Sequence, residues 1–385
     1  MNPSLEKDSM SRIRICQMIT ELGLAGAERC VYELSERLNK DRFDVQVVAM
    51  RGGKVAEWLR EAGIKVTVLG VRGKWDLFKL RQFVGLLRHE RIDILHTHLF
   101  HADLAGRVGA SLASVPHLIH TVRTAEGRFR PWQFAFARLF CDSCDQIVCI
   151  SRSVRDLHSR KSGLPLSRYV VITNGIDTDA FRRDEPSRTR LRAQWGIDGD
   201  APLVAYVGRL AREKGIEMLI AAMSHLAARG KPMDLVIAGD GPRRGVVENF
   251  IAHGEGGNRC RMLGLVHDVR GVLSAADIHV MPSRWEGFGL AAAEAMSASL
   301  PVVATRVAGL RDLIIDGRTG LLVSRDDVRA LAEAVERLGG DAESRRRLGA
   351  AGRRLVVENY RIEANIAAHE KLYLEVASKR GGRCR

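Results

Sequence analysis

Short runs of β-branched residues, separated by amphipathic helical patterns, constrain this chain of 385 residues more than any other feature. Seven such runs stand in the first half, in the order RIRICQMIT, FDVQVVAM, KVTVLGV, IDILHTH, HLIHTV, QIVCIS and YVVIT. Segments with helical periodicity lie between them, such as GAERCVYELSERLNK and DLFKLRQFVGLLRHE. Strands that alternate with helices in this way indicate βαβ units and a parallel sheet.

A second series of the same kind follows a polar, charged stretch, DTDAFRRDEPSRTRLRAQWG. Its runs are PLVAYVG, MDLVIAG, RCRMLG, DIHVMP, PVVAT and TGLLV. The sequence therefore predicts an α/β chain with two doubly wound Rossmann-like domains that face each other across a cleft. We expect the N-terminal domain to span residues 1–178 and the C-terminal domain residues 179–360. Residues 361–385 would form a helix that packs back on the N-terminal domain, followed by a basic tail.

Charge and cysteine content narrow the class of protein further. The net charge is +14, and residues 1–175 hold 27 Lys and Arg against 18 Asp and Glu. A positive field of this kind attracts phosphates, whether of nucleic acid, anionic lipid or a phosphorylated small molecule. The seven cysteines are odd in number and scattered, which favours reduced thiols. The sequence has no apolar run typical of a signal peptide or membrane span, so we expect a cytoplasmic protein.

Two glutamates border a glycine-containing loop in MPSRWEGFGLAAAEAM, residues 281–296. Glu286 follows the run DIHVMP, and Glu294 lies eight positions later in a helical pattern. Gly287 and Gly289 let backbone amides approach an anion, and the start of the helix adds partial positive charge. Because a carboxylate repels a bound phosphate, the two acids fit a ligand whose hydroxyls flank a diphosphate. The plain alternative is that Glu286 caps the helix and Glu294 is solvated.

Other strand-to-helix turns carry groups suited to the same cleft. In YVGRLAREKG, Arg209 and Lys214 stand five positions apart, a spacing that can direct two cations to one anionic group. ELGLAGAERC supplies a turn that ends in Gly26, Ala27 and Glu28, and VIAGDGP supplies another. Together these turns predict a phosphate-binding cleft between the domains.

These motifs resemble those of the retaining glycosyltransferases of family 4, which have the GT-B fold. WEGFGLAAAE matches the family's pattern of two glutamates separated by seven residues. The resemblance covers residues 12–375 and continues, in order, through GLAGAER, ILHTHLFHADLAGRVGA, CISRSV, VITNGIDTDAF, VGRLAREKG, LVIAGDGP, LGLVHDVRGVLSAADIHVMPS and GLRDLIIDGRTGLLV. It implies the fold and the reaction class and says little about the substrate.

The resemblance also implies roles for individual residues. Glu286 would contact hydroxyls of the donor sugar, and Glu294 would bind the ribose hydroxyls of the nucleotide. The sugar and the diphosphate would be held by four backbone amides, those of Gly287, Phe288, Gly289 and Leu290.

The same resemblance implies how the reaction proceeds. Arg209 and Lys214 would neutralise the departing diphosphate, and Gly26 would add a backbone contact from the first domain. The family retains the anomeric configuration through attack on the face from which the diphosphate leaves, and the leaving phosphate takes the acceptor's proton. Neither a protein nucleophile nor a metal ion nor a cofactor is implied.

One departure from the family pattern concerns the acceptor side. Relatives often have a histidine within a T-x-H pattern, whereas IHTVRTAEG places Arg123 at that position and His120 three positions earlier. An arginine could grip a phosphate on the donor or the acceptor, and a histidine could shuttle protons.

Three clusters suggest metal or redox chemistry, but we interpret them otherwise. The Asp-Thr-Asp triplet at 177–179 resembles an acidic metal site, yet it falls in the connection between the domains. The remaining candidates are His96, His98 and His101 in HTHLFH, and Cys141 and Cys144 in CDSC with Cys149 nearby. We expect the histidines to be structural or to line the acceptor site, and the cysteines to be small buried hydrophobic residues.

Two basic, amphipathic segments of the first domain resemble helices that lie on membranes. RFRPWQFAFARLF contains Trp132, Phe136 and Phe140 at intervals of four, interleaved with Arg128, Arg130 and Arg138. KWDLFKLRQFVGLLRHERID has a similar pattern. For both segments we expect packing on the domain core, with docking on an anionic membrane surface as the alternative.

The sequence thus predicts a retaining, metal-independent hexosyltransferase that moves a sugar from a nucleotide diphosphate sugar to a hydroxyl acceptor. On the resemblance alone, the acceptor would be a polysaccharide or glycolipid intermediate, such as one of lipopolysaccharide, at the inner membrane face. A sugar-nucleotide epimerase of similar fold is the alternative, and it would convert the donor without an acceptor. A nucleic-acid partner is not expected, because the basic residues are spread between helices and form no zinc finger or RNA-recognition motif.

Overall fold

Two separate parallel sheets organise the chain. A computed structural model describes residues 12–71, 73, 76–124, 130–198 and 201–379. The strands are β1 (Ile13–Glu21), β2 (Phe43–Arg51), β3 (Lys65–Val68), β4 (Ile94–His98), β5 (His117–Val122), β6 (Gln146–Cys149), β7 (Tyr169–Val171), β8 (Leu203–Val207), β9 (Asp234–Ala238), β10 (Cys260–Gly264), β11 (Ile278–Met281), β12 (Val302–Thr305) and β13 (Gly320–Val323).

Helices follow most of these strands and cover both faces of each sheet. They are α1 (Gly26–Arg37), α2 (Val55–Glu61), α3 (Leu77–His89), α4 (Phe100–Ala113), α5 (Pro131–Leu139), α6 (Arg152–Ser162), α7 (Glu185–Gln194), α8 (Ile216–Ala228), α9 (Arg244–His253), α10 (Arg270–Ala275), α11 (Leu290–Ser297), α12 (Ala308–Leu313), α13 (Val328–Gly340), α14 (Ala342–Asn359) and α15 (Ile362–Ser378).

The strand orders show a doubly wound topology in both sheets. The first sheet runs β3-β2-β1-β4-β5-β6-β7 and the second runs β10-β9-β8-β11-β12-β13, with every pairing parallel. Ile15 of β1 pairs with Val45 on one side and Ile94 on the other, so the sheet reverses direction between β1 and β4. The corresponding reversal in the second sheet lies between β8 and β11. This architecture confirms the predicted fold class, and it places ligands beyond the carboxyl ends of those strands.

The last helix, α15, follows the second sheet in sequence but packs on the first. Its buried residues Ile366 and Tyr373 join a core cluster with Phe43 and Ile94, and the Tyr373 ring lies 6.0 Å from the Phe43 ring. The apolar face of α15 therefore completes the core of the first domain. The domain limits stay a prediction, because they concern autonomy rather than packing.

The chain passes between the sheets twice, and the two passages lie side by side. The amide of Ile176 donates to the carbonyl of Tyr360 at 2.7 Å, and the amide of Ile362 donates to the carbonyl of Ile176 at 2.9 Å. This pairing fixes one side of the cleft, so that relative motion of the two sheets would pivot about it.

Helix α5 corrects one sequence prediction. The face that packs on the core consists of Phe134 and Ala137, whereas Trp132 is 53% exposed and Phe136 is half-buried. The aromatic stripe therefore does not enter the core, although Trp132 and Phe136 contact Phe100 of α4. Arg128, which belongs to the same pattern, lies outside the described residues. Over the part of the chain that the structure describes, no helix combines the length and apolarity needed to cross a bilayer.

Candidate active site

The loops after β8 and β11 meet at the reversal point of the second sheet. The β8 loop carries Arg209 and Lys214, and the β11 loop carries Glu286. Between them, a Cβ added to Gly215 would lie 1.9 Å from the carbonyl oxygen of Pro282, so a side chain there would prevent this approach. The amide of Arg284 donates to the carbonyl of Glu213 at 2.8 Å and joins the loops further.

Glu286 is buried at this junction. Its carboxylate accepts a hydrogen bond from the Ser283 hydroxyl at 2.8 Å, and the Lys214 ammonium donates to the same oxygen. The sequence prediction identified both charged partners from separate motifs, and the structure brings them together. Because Glu286 Oε1 already has two donors, its second oxygen and the Lys214 ammonium are the groups available for a ligand.

Arg209 occupies a more open position near the same junction. Its guanidinium pairs with Glu213, and its side chain is 47% exposed. An exposed ion pair of this kind contributes little to stability. Arg209 can therefore leave Glu213 and turn toward an anion at low cost.

The loop and helix that hold the second glutamate begin at a glycine. Gly289 adopts φ +98, a left-handed conformation, and directs the chain into α11 at Leu290. One turn later, Glu294 is buried, and its Oε1 accepts from the guanidinium of Arg29 at 2.8 Å. Burial raises the pKa of Glu294, while the charge and hydrogen bond of Arg29 lower it.

Arg29 belongs to α1 of the first domain, so this ion pair bridges the cleft. Its guanidinium also lies 5.3 Å from the centre of the Phe181 ring. Arg29 was missed by sequence reasoning, although it stands three residues after Gly26 in the GAER motif. A pair separated by 265 positions leaves no local signal in the sequence.

Backbone of the two domains approaches closely on either side of the donor loop. A Cβ added to Gly287 would lie 2.5 Å from the carbonyl oxygen of Arg123, and one added to Gly26 would lie 2.7 Å from Leu290 Cδ1. Phe288 is buried, and its ring packs on Tyr360 with the centroids 5.3 Å apart. Gly26, Gly287 and Leu290 therefore lie together in the cleft, and Phe288 points away toward the domain crossing.

Arg123 faces a cavity between the domains that Arg29, Asn174 and Glu294 also line. Its Nη1 donates to Asn174 Oδ1 at 3.1 Å, and its Nη2 donates to His98 Nδ1 at 3.3 Å. His120, in contrast, is buried beneath α4, where its Nδ1 lies 3.0 Å from the Thr97 hydroxyl. Arg123 rather than His120 therefore lies on the acceptor side of the cleft.

The acidic and histidine clusters make other contacts in the structure. Asp177 pairs with Arg37 at 2.9 Å, and Asp179 pairs with Arg361 at 3.3 Å. His96 and His98 lie on one face of β4, with ring centroids 4.2 Å apart, whereas His101 is exposed on α4. Within the described ranges, no group of three histidine, cysteine or acidic side chains could hold a metal ion.

The cysteines are consistent with a packing role. Cys144 and Cys149 are buried, as expected, and burial raises the pKa of these thiols to about 11 and about 12. Cys141 is half-buried, which corrects the expectation for that residue. Thiols with such pKa values are poor nucleophiles at neutral pH.

The cleft thus combines two carboxylates with several cations. Glu286 and Glu294 can accept hydrogen bonds from ligand hydroxyls, and Lys214, Arg209 and Arg29 can face an anion between them. Amides at the start of α11 add further donors. This distribution suits a ligand that has hydroxyl groups at both ends and negative charge in the middle.

Comparison with known proteins agrees with this site. Residues 187–355 match the family model for glycosyl transferases group 1, and residues 24–180 match the model for Glycosyltransferase Family 4. Alpha-maltose-1-phosphate synthase of Mycolicibacterium smegmatis is 32% identical over 295 residues, which cover 70% of this chain and 76% of that protein. UDP-Gal:alpha-D-GlcNAc-diphosphoundecaprenol alpha-1,3-galactosyltransferase of Escherichia coli is 24% identical over 348 residues, which cover 87% of this chain and 90% of that one.

Among solved structures, HepE of Anabaena in complex with UDP-glucose is similar with a TM-score of 0.86. The identity is 20%, and the match covers 94% of this chain and 100% of that one, so this likeness concerns the fold. The two family models and the relative at 32% identity carry the conclusion further. The chain belongs to family 4 of the glycosyltransferases, the group 1 glycosyl transferases with the GT-B fold.

Proposed function

We propose that the protein is a retaining glycosyltransferase that moves a sugar from a nucleotide diphosphate sugar to a hydroxyl acceptor. The observation that carries this proposal is the placement of Glu286 and Glu294 at the two ends of one amide-lined loop. Each carboxylate is buried and paired with a cation, and the cations lie on the cleft side. A nucleotide sugar has hydroxyls on its sugar, a charged diphosphate and hydroxyls on its ribose, in that order.

The donor sugar would lie near Glu286 and the ribose near Glu294. Amides of Gly287, Phe288, Gly289 and Leu290 would bind the sugar and the diphosphate. Lys214 and Arg209 would stabilise the negative charge that grows on the diphosphate as the glycosidic bond breaks. Groups aimed at developing charge are commonly the largest single contribution to catalysis.

Retention would follow if the acceptor attacks from the side that the diphosphate leaves. The departing phosphate oxygen then takes the acceptor's proton, so that neither a protein nucleophile nor a metal ion nor a cofactor is needed. Gly26 supplies backbone from the first domain to the same cleft, which supports a reaction that requires both domains to close.

The acceptor would be a lipid-linked or polymeric glycan that the protein reaches at the cytoplasmic face of a membrane. The relative from Escherichia coli, whose name specifies a diphosphoundecaprenol-linked acceptor, supports this choice. So does an exposed apolar surface on the first domain, away from the second sheet. We call this surface the α3–α5 face, and it comprises Leu77, Phe78, Leu104, Val108, Leu112, Trp132 and Leu139.

The α3–α5 face has the chemistry of a membrane-docking surface. Leu104, Val108 and Leu112 recur every four residues on α4 and form an exposed stripe. Exposed Arg130 and Arg138 add positive charge beside it. Apolar side chains bordered by arginines bind anionic bilayers through burial and charge together.

Vesicle flotation tests this docking. The wild-type protein should float with vesicles that contain phosphatidylglycerol and remain unbound to purely zwitterionic vesicles. Replacing Phe78 and Trp132 by Ser should abolish flotation. The matched control is Leu265→Ser, which removes a similarly exposed side chain from the second domain and should float normally. Equal flotation of all three proteins would contradict the assignment of this surface.

The transfer reaction is tested by nucleotide release from a panel of UDP-, GDP-, ADP- and dTDP-sugars, with and without a membrane-lipid extract as acceptor source. A metal chelator is present throughout. We expect release from one class of donor, stimulated by the extract, and retention of the anomeric configuration in the product. An epimerase would instead convert the donor sugar without any extract, and that result would contradict the proposal.

A further inference from the structure

A line of buried polar side chains runs through the core of the first domain from α15 to the cleft. Gln17 of β1, His96 and His98 of β4 and Tyr373 of α15 are each 0% exposed, and Thr121 of β5 is 1% exposed. Apart from Thr121, which lines the interdomain cavity, they lie away from the donor loop. Buried polar groups persist when they are hydrogen-bonded, so their partners indicate what they do.

The direction of each hydrogen bond in this line follows from Arg123. A guanidinium can only donate, so His98 Nδ1, 3.3 Å from Arg123 Nη2, must accept. Burial lowers the pKa of His98 well below its usual value, so the ring is neutral and carries its proton on Nε2. That Nε2–H donates to Gln17 Oε1 at 2.7 Å.

The line continues without a mismatch. Gln17 Nε2 donates to the Tyr373 hydroxyl at 2.9 Å, and that hydroxyl donates to His96 Nδ1 at 2.7 Å. His96, which burial also keeps neutral, then donates from Nε2 to the Thr121 hydroxyl at 2.6 Å. Every donor meets an acceptor, and both histidine tautomers and the Gln17 amide orientation are fixed by this one chain.

The chain ends on a side chain that faces the cleft. Arg123 is held by His98 on one side and by Asn174 of the domain connection on the other. The rest of the α15 interface is apolar, which would pack equally well without hydrogen bonds. A connected polar network rigidifies its members more than it stabilises the fold.

We infer that Tyr373 is a positioning residue, which acts through Gln17 and His98 to hold the Arg123 guanidinium at the acceptor side of the cleft. This inference rests on the proposed function for the role of Arg123, but the chain itself does not. The C-terminal helix would in this way set the position of a charged group in the opposite domain from the donor loop.

Histidine side-chain NMR on the full-length protein tests the chain without any ligand. We expect His96 and His98 to show the Nε2–H tautomer and no titration between about pH 5.5 and 8.5. Tyr373→Phe, which removes one hydroxyl, should shift both signals, and Arg123→Ala should shift that of His98. The matched control is Tyr169→Phe, because the Tyr169 hydroxyl bonds to His158 at 2.9 Å in the same domain, outside the chain. An Nδ1–H tautomer at His98 would overturn the inference.

A double-mutant cycle tests the link to Arg123. Nucleotide release is measured with the panel sugar nucleotide that stabilises the wild type most. Tyr373→Phe should slow release about five- to tenfold in the wild-type background and leave it unchanged in the Arg123→Ala background. Tyr169→Phe should change neither. Equal slowing in both backgrounds would overturn the positioning role, whereas absence of release from the wild type would contradict the proposed function and leave the NMR result to decide the chain.

Discussion

Alanine in place of Gly287 is a sharp test of how closely the domains must approach. The added Cβ would lie 2.5 Å from the Arg123 carbonyl oxygen and 3.0 Å from Ile150 Cδ1, both in the first domain. The loop cannot retreat, because Gly309 of α12 backs it so tightly that a Cβ there would lie 2.5 Å from the Gly287 carbonyl carbon. Restoring an ordinary contact of 3.4 Å therefore requires the two sides of the cleft to separate by about 0.9 Å.

A separation of this size should affect the reaction far more than the fold. Displacement of a reacting group by about 1 Å can lower a rate on the order of 10²-fold. We therefore expect nucleotide release by Gly287→Ala to be about 10- to 100-fold slower. The free energy of unfolding should change by less than about 1 kcal/mol, because opening relieves the clash.

Steady-state nucleotide release and urea denaturation measure the two effects separately. Gly245→Ala is the matched control, since a Cβ at Gly245, on helix α9, would meet no atom within 4 Å. That variant should match the wild type in rate. A wild-type rate for Gly287→Ala would refute the reasoning, because the cleft would then tolerate a side chain where the structure leaves no room.

Further predictions concern the charged groups of the cleft. Glu286→Ala should lower turnover at least about 10²-fold with an unchanged circular dichroism spectrum, because it removes the proposed sugar contact. Lys214→Ala and Arg209→Ala should each slow nucleotide release by roughly 10²-fold or more, measured in single-turnover reactions, since both would stabilise the leaving diphosphate. Arg29→Met removes the cation that lowers the pKa of Glu294, so that this pKa rises further. A carboxyl whose pKa is raised in the folded state makes the protein less stable as pH rises above its unfolded value of about 4.3, so the loss in urea midpoint should be larger at pH 8 than at pH 5. An equal loss at both pH values would contradict the pairing.

Strand positions could be predicted from the sequence because each run carries its own signal. All thirteen β-branched runs overlap strands among the described residues, since buried parallel strands read as short apolar segments. The order of strands within a sheet has no such local signal. That β1 lies between β2 and β4 follows from tertiary packing.

The candidate site was predictable where its residues belong to one loop and its helix. Glu286 and Glu294 could be linked because eight positions of one strand-loop-helix unit separate them. Arg29 could not be linked to Glu294, nor Tyr373 to His96, because those partners meet only after the domains and α15 have packed. The α5 prediction was wrong because aromatic spacing was given more weight than Phe134 and Ala137, the two residues that face the core.

Nucleotide binding by calorimetry tests the central claim most directly, namely that Glu294 reads the ribose of a nucleotide in this cleft. UDP and its 2′,3′-dideoxy analogue are titrated into the wild type and Glu294→Ala. If UDP does not bind, the same pair of the base selected by the donor panel is used. The wild type should prefer the ribonucleotide by about 10- to 100-fold, the value of a hydrogen bond to a charged group. Glu294→Ala should bind both nucleotides with the weaker affinity. Undiminished preference in Glu294→Ala, or no binding of any nucleotide by the wild type, would contradict the account.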